Sequence, residues 1–269
     1  MEDNSRIEAG GEEPRKTPAV PAIDGNNSFT ITGVKVTDGP ALAANNIPAF
    51  WAYPHWRESW RHRTLEYHIS QVALRYPRTL LRDRERARHQ KVVDSKTGKI
   101  IGYARWMLPA SHVTVQAGGL DLVGEGDAEG GTPAWPEAQI PAVSADEEAE
   151  ILRVAETAVW DPDEDTPNPA LDELREVEKE ILTGEKPYLV LDYLVVNTAH
   201  QRRGVGTALV RSGLKEAVKL GLDVYVHAMP NGIGLYKRLG FREERRPTKK
   251  EGSSGNCLLI YEHHAGVVG

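Results

Sequence analysis

The sequence predicts an α/β fold from three observations. Short segments rich in β-branched and aromatic residues recur along the chain, as expected for strands. Between them lie segments with apolar residues three and four positions apart, as expected for amphipathic helices. One strand, residues 188–196, is long and almost entirely apolar, and a glycine-containing turn and a helical pattern follow it. A strand of this kind is buried on both faces, which favours a central sheet covered by helices.

Composition indicates a globular protein of 269 residues with some polar segments that do not pack. We expect residues 1–27 to form a disordered tail and residues 28–269 to form a single domain. The single cysteine, Cys257, excludes an internal disulfide framework and a multi-cysteine metal site, and no metal is expected. The chain shows neither an apolar signal segment nor a membrane-spanning run, which favours a cytoplasmic protein, with a nuclear one as the alternative.

Charge is distributed unevenly along the chain. Ten Lys and Arg face four Asp and Glu between Arg57 and Lys91, whereas three face twenty between Asp121 and Glu185. We interpret residues 109–185 as an acidic insertion, and we expect it to contact a basic helix face. The basic stretch is also compatible with a nucleic-acid surface, but the strongly acidic segment in the same chain argues against that partner.

The first half of the chain predicts a strand, several helices and a hairpin. The strand is expected at Phe29–Val36 and is followed by a helix. Pro54 interrupts the aromatic-rich segment 48–60, whose side chains are expected either in the core or in the wall of a substrate pocket. Residues 64–89 have a helical period, with Pro77 as a kink or break. Segments 91–94 and 99–107 flank a glycine-containing turn and predict a β-hairpin.

The remainder predicts four helices and four strands. The helices are expected at residues 146–159, 169–182, 204–220 and 231–239, and the strands at 188–196, 223–228, 241–245 and 257–262.

The turn Gln-Arg-Arg-Gly-Val-Gly, residues 201–206, joins the long apolar strand to a helix. Its glycines allow close backbone approach, and the helix start offers unpaired N–H groups with partial positive charge. These features predict a phosphate or pyrophosphate site, to which Arg202 and Arg203 add positive charge. A Walker loop would need a lysine here, and a Rossmann loop would need glycine in place of Leu209, so neither fits.

This turn resembles the Gln/Arg-x-x-Gly-x-Gly/Ala signature of the GNAT superfamily of N-acetyltransferases. Downstream, Leu-Tyr-Lys-Arg-Leu-Gly-Phe, residues 235–241, resembles the family's Leu-Tyr-x-x-x-Gly-Phe segment at the usual separation. With its hairpin and long insertion, the chain is similar to uncharacterised fungal members. The resemblance implies a mixed, mostly antiparallel central sheet, flanked by helices and splayed after Val196 on the cofactor strand.

The resemblance also implies acetyl-CoA as co-substrate and direct transfer of an acetyl or other short acyl group to a primary amine. The backbone of residues 194–196 would bind pantetheine, and N–H groups from Arg202 to Thr207 would hold the pyrophosphate. Many members have an asparagine at the position of Met229, and Asn231 is the candidate to replace it. The full set of implied cofactor-binding residues is Leu194, Val195, Val196, Gln201, Arg202, Arg203, Gly204, Val205, Gly206, Thr207 and Asn231.

Two side chains are candidates for catalysis. Tyr236 matches the family's tyrosine that protonates the leaving thiolate, with helix-to-sheet packing as the alternative. An amine with a pKa of about 10.4 must lose a proton before it attacks. Asp192, expected on the same strand face as Leu194 and Val196, is a candidate for relaying that proton or for binding substrate, or it is a core carboxylate paired with a basic residue. His227 could line the same cleft or be a hydrogen-bonded structural histidine.

The expected partner is a small-molecule or peptide amine, and the expected state is a monomer or homodimer. The alternative function is an acyl-CoA-binding regulatory protein with little or no transferase activity.

Overall fold

The structure is a computed structural model that describes residues 28–115, 131–163, 169–248 and 255–263. The tail expected at residues 1–27 lies outside these ranges, as does part of the expected acidic insertion. Within the described ranges the strands are β1 (Phe29–Gly33), β2 (Ala87–Asp94), β3 (Ile100–Met107), β4 (Thr114–Val115), β5 (Thr132–Pro133), β6 (Tyr188–Val196), β7 (Asp223–Ala228), β8 (Arg242–Arg245) and β9 (Cys257–Tyr261). The helices are α1 (Gly39–Trp51), α2 (Pro54–Ser59), α3 (Leu65–Leu81), α4 (Ala145–Glu156), α5 (Pro169–Thr183), α6 (Val205–Leu220) and α7 (Pro230–Arg238).

Seven of the described strands form one sheet in the order β1-β2-β3-β6-β7-β9-β8. The β6–β7 pair is parallel, and the other described neighbours in this sheet are antiparallel. Helices α6 and α7 pack on one face of the sheet, while α1, α3 and α5 pack on the other. The predicted mixed, mostly antiparallel sheet flanked by helices is therefore confirmed.

Several element boundaries differ from the predicted ones. Strand β1 stops at Gly33, and a 3₁₀ turn occupies Val36–Asp38 where strand was expected. Helix α3 continues through Pro77 but ends at Leu81, and residues 87–89, expected to be helical, begin β2. The strand prevails there because Arg88 is fully buried and its guanidinium donates to backbone carbonyls, including that of Ala134 at 2.7 Å.

The expected contact between basic and acidic segments is confirmed at the α2–α3 connection. Arg61 lies 2.6 Å from Asp163, and Arg63 pairs with Asp161. The Arg75 guanidinium lies over the Trp160 ring, 3.9 Å from its centroid. Exposed ion pairs add little stability individually, so we attribute the fixed position of this segment mainly to the aromatic contacts.

The largest core cluster lies beneath α6 and α7. At its centre the fully buried Trp106 ring of β3 packs directly against the backbone of α6 at Gly213. A side chain at Gly213 would separate helix and sheet, so this glycine sets how closely α6 approaches the strands.

Replacing Gly213 with alanine should destabilise the protein. The added Cβ would lie 2.0 Å from Cζ2 of Trp106, and an enclosed ring cannot move aside. We expect the free energy of unfolding to fall by about 1–3 kcal/mol, despite the helix preference for alanine of about 1 kcal/mol. Gly234→Ala is the control, because its nearest neighbour is the mobile end of Arg238 at 3.4 Å. Urea unfolding of both variants measures the difference, and unchanged stability of Gly213→Ala would contradict this packing.

Candidate functional site

The site is built around a gap between β6 and β7. Their parallel pairing extends from Tyr188↔Asp223 to Leu191↔Val226 and stops there, although β6 continues to Val196. The strands therefore separate after Leu191 and not after Val196, which corrects the expected position of the splay. The register between β3 and β6 shifts at the same point, since Trp106 pairs with Leu191 but Arg105 pairs with Tyr193. A bulge bends its strand and increases the twist, which accounts for the early separation.

The bulge also changes the face to which Asp192 belongs. Beyond it, Leu194 and Val196 pack beneath α6, whereas Tyr193 packs on the opposite face with α1 and α3. The Asp192 carboxylate accepts a hydrogen bond from Arg105, whose guanidinium lies 5.7 Å from the Tyr193 ring centroid. The expected shared face with Leu194 and Val196 is therefore wrong, because the extra residue breaks the strict alternation of a regular strand.

The free edge of β6 presents backbone groups to the gap. The Asn197 N–H donates to the carbonyl of Ile101, the residue of β3 opposite it in the antiparallel register, at 2.9 Å. Successive N–H groups of a strand point to opposite edges, so those of Leu194 and Val196 point away from β3 and into the gap. Because β7 does not pair with this stretch, these groups can bind an extended ligand as an added strand would.

The N-terminus of α6 lies at the end of this edge. Gly204 is the N-cap with φ of 81°, and Arg202 also has a positive φ, 63°. The first hydrogen bond of the helix joins the Ala208 N–H to the Gly204 carbonyl at 2.9 Å. The N–H groups of residues 205–207 precede that bond and have no acceptor within the helix. Left-handed backbone at the turn thus aims a set of N–H groups and the positive end of the helix dipole at one point.

A cavity of about 620 Å³ joins the strand edge to the helix start. This volume lies within the range of small-molecule sites, about 300–1,000 Å³. The cavity brings together most of the predicted residues: Asp192, Leu194, Val195, Val196, Gln201, Arg202, Gly204, Val205, Gly206, Thr207, Asn231 and Tyr236.

Arg203 is the predicted cofactor residue whose side chain the structure directs elsewhere. Its guanidinium lies 2.5 Å from a ring nitrogen of His200, 3.1 Å from the Ser28 hydroxyl and 3.6 Å from the Asp94 carboxylate. The side chain therefore anchors the turn to the first strands of the sheet. Of the two arginines expected to add positive charge, Arg202 lines the cavity and Arg203 does not.

Tyr236 of α7 is almost fully buried and packs edge-on against Phe241, with ring centroids 5.4 Å apart. Burial, together with the neighbouring hydroxyl of Tyr53, raises the pKa of Tyr236. The phenol therefore remains a neutral hydrogen-bond donor over a wide pH range. Asn231 also reaches Tyr53, donating to its hydroxyl at 3.4 Å, so the start of α2 and helix α7 meet across the cavity.

A second, smaller cavity of about 280 Å³ shares Leu191, Asp192 and His227 with the first. It adds Glu178 from α5 and Asn256, next to β9. Glu178 was not predicted, because one carboxylate among twenty in the acidic segment carries no distinguishing signal in the sequence. His227 was named only as a residue that could line the cleft, and the structure places it at the junction of both cavities.

The described ranges also bear on metal binding and on membrane spanning. These residues contain no group of three or more His, Cys, Asp or Glu side chains able to hold a metal ion. No helix among them combines the length and apolar character needed to cross a membrane.

Comparisons with known proteins bear on family and fold. The model of the acetyltransferase (GNAT) family matches residues 133–241, which contain β6, α6, β7 and α7. A search of curated proteins found no match.

Solved structures are similar to this chain, and the first of the two described next supports the fold. A structure from Corynebacterium glutamicum, described as histone acetyltransferase HPA2 and related acetyltransferase, is similar with 15% identity and a TM-score of 0.50, covering 90% of this chain and 100% of its own. PaiA N-acetyltransferase from Thermoplasma acidophilum, solved with coenzyme A, has 13% identity and a TM-score of 0.42, covering 88% of this chain and 100% of its own. Residues 133–241, which run through β6, α6, β7 and α7, thus resemble the acetyltransferase (GNAT) family, and the fold as a whole is similar to that of the Corynebacterium structure.

Proposed function

We propose that the protein transfers an acetyl or other short acyl group from acyl-CoA to a primary amine. The observation that carries this proposal is the single cavity in which the unpaired edge of β6 leads to the open N-terminus of α6. The pantetheine arm of CoA is extended, contains amides and ends in a pyrophosphate. The arm matches the strand edge, and the pyrophosphate matches the helix start. The arm can pair with the N–H groups of Leu194 and Val196, and the pyrophosphate can bind the N–H groups of residues 205–207.

The reaction we propose is direct attack on the thioester. The amine nitrogen forms a bond to the acyl carbon, the carbon–sulfur bond breaks, and the sulfur leaves as a thiolate that takes a proton. Tyr236 is the proposed proton donor, because its phenol lines the cavity and burial keeps it protonated. A neutral donor in a fixed position stabilises the developing thiolate without adding charge to the resting site.

Asp192 is proposed to bind the substrate amine. Its carboxylate lies where β6 and β7 separate and contributes to both cavities. Of the roles expected from the sequence, substrate binding fits better than proton relay, because Arg105 already occupies one carboxylate oxygen. The side chains of both residues are partly exposed, at 38% for Asp192 and 27% for Arg105, so the pair remains accessible to a ligand.

The acyl acceptor is proposed to be a small-molecule or peptide amine that enters beside α1. Phe50 of this helix and Tyr53, the N-cap of α2, line the large cavity, and the Phe50 ring lies 5.2 Å from that of Tyr193. Trp60 is only 3% exposed and belongs to the packed interior. Under this proposal the aromatic segment has both of its expected roles, with Trp60 in the core and with Phe50 and Tyr53 in the pocket wall.

Gly204→Glu should abolish acetyl-CoA binding. The new side chain would carry negative charge to the helix start, where the pyrophosphate is proposed to bind. Gly221→Glu is a matched control, because Gly221 caps the other end of α6 with φ of 66°, so both variants carry similar backbone strain. The two ends are about 24 Å apart, at 1.5 Å for each of 16 residues. Calorimetry should show loss of binding in Gly204→Glu alone.

The same proteins test the function by release of CoA thiol with a panel of primary amines. Turnover by wild type and Gly221→Glu, but not by Gly204→Glu, is expected. Equal acetyl-CoA affinity in both variants would contradict the cofactor site, and binding without turnover of any amine would favour the regulatory alternative.

Tyr236→Phe should lower kcat by roughly 10- to 10⁴-fold, the range for a positioned proton donor, and leave acetyl-CoA affinity near wild type. Phenylalanine keeps the contact with Phe241 and removes only the hydroxyl. Tyr261→Phe is the control, since Tyr261 packs on the same Phe241 ring, with centroids 5.5 Å apart, but does not line the large cavity. Steady-state kinetics with the fastest amine of the panel provides the measurement. Full kcat in Tyr236→Phe, with chemistry rate-limiting, would show that the tyrosine only packs.

A further inference from the structure

The smaller cavity opens from the point where β6 and β7 separate. It lies on the face of α5, opposite α6, because Glu178 belongs to the helix whose Val177 and Ile181 pack on that face. Since Asp192 and His227 line both cavities, a molecule in the smaller cavity would meet the end of an acyl-CoA arm lying in the larger one. The smaller cavity is therefore placed for the second substrate.

Two hydrogen bonds favour one tautomer of His227. Nε2 lies 3.2 Å from the Asn256 amide nitrogen, which can only donate, so Nε2 carries the lone pair. The proton of the neutral ring is then on Nδ1, which lies 3.3 Å from the Glu178 carboxylate and donates to it. Glu178 thus orients His227 and is placed to stabilise the imidazolium that forms if Nε2 takes a proton.

The cavity is rich in hydrogen-bond acceptors. Asn256 is 9% exposed, and among the described residues its Oδ1 has no hydrogen-bond partner. The carboxylates of Glu178 and Asp192 add further acceptor oxygens and negative charge. An ammonium group has three donors and no acceptor, so it complements this lining, whereas an anion or a carbonyl does not.

We propose that the smaller cavity binds the acyl acceptor as its ammonium form, and that His227, oriented by Glu178, removes the proton. The inference rests on the proposed function. The ammonium displaces the Asn256 N–H from Nε2 and donates to Nε2 and to Oδ1. The proton passes to Nε2, the nitrogen lone pair attacks the acyl carbon, and the carbon–sulfur bond breaks as Tyr236 protonates the sulfur. His227 is then a catalytic residue and Glu178 a positioning residue.

The groups around His227 support this assignment. Glu178 faces it from α5, Asp192 faces it from β6 with Arg105 as its ion-pair partner, and Tyr225 lies two residues away on the same face of β7. Burial and the nearby Glu178 carboxylate raise the pKa of Tyr225, so this hydroxyl does not compete for the proton. Leu258, opposite His227 on β9, is apolar. Of these groups, His227 offers a ring nitrogen at the junction of the two cavities.

Two amines of similar size test the proposal. Ethylamine is protonated at neutral pH and needs a base, whereas 2,2,2-trifluoroethylamine is largely unprotonated and does not. His227→Gln should lower kcat/KM for ethylamine by about 10²- to 10⁴-fold and change that for trifluoroethylamine by less than about twofold. Glu178→Gln should also lower kcat/KM for ethylamine, but by a smaller factor. For both variants the loss of kcat/KM with ethylamine should become smaller as the pH rises, because more of the amine then binds in its neutral form.

Glu176→Gln is the matched control, because Glu176 is an exposed carboxylate of the same helix outside both cavities. It should match wild type with both amines. Equal losses with both amines in His227→Gln, a loss that does not change with pH, or no loss at all would overturn the proposal. So would wild-type protein that binds acetyl-CoA yet turns over neither amine. A wild-type protein that does not bind acetyl-CoA would instead refute the proposed function itself.

Discussion

The separation of β6 from β7 is the constraint on which the rest of the site depends. Two parallel strands that stayed paired to their ends would satisfy each other's backbone groups and leave no room between them. Here pairing ends at Leu191↔Val226, where an extra residue, Asp192, interrupts the register with β3. The bend that follows leaves a strand edge whose N–H groups do not pair with β7, and such groups are costly to bury without a partner. A ligand with the shape of a strand removes that cost.

The rigid parts of the fold position this gap. The contact between Gly213 and the fully buried Trp106 ring holds helix α6 close to the sheet. The N-terminus of α6 therefore stays at the end of β6. On the opposite face, the acidic segment contacts the α2–α3 connection. It also contributes α5, which brings Glu178 to the gap. The two faces thus supply different chemistry. The α6 face offers backbone donors for an anion, and the α5 face offers acceptors for a cation.

The sequence predicted those parts of the site that depend on local pattern. The turn before α6 and the buried strand could be found because glycine spacing, strand periodicity and helix start signals act over a few residues. Tyr236 was a candidate because residues 235–241 resemble a family segment. The position of the splay and the face of Asp192 could not be found, because a bulge leaves the local sequence of a strand apolar while reversing its alternation. Glu178 and the side-chain direction of Arg203 depend on contacts between elements distant in sequence, which no local pattern encodes.

Amide hydrogen exchange at the free edge of β6 tests this account most directly. The N–H groups of Leu194 and Val196 point into the gap, whereas that of Asn197 already donates to Ile101. If acetyl-CoA pairs with this edge, saturating cofactor should slow exchange at Leu194 and Val196 strongly, with less effect at Asn197. Bound cofactor that leaves exchange at Leu194 and Val196 unchanged would contradict the claim that the separated strands form the cofactor site.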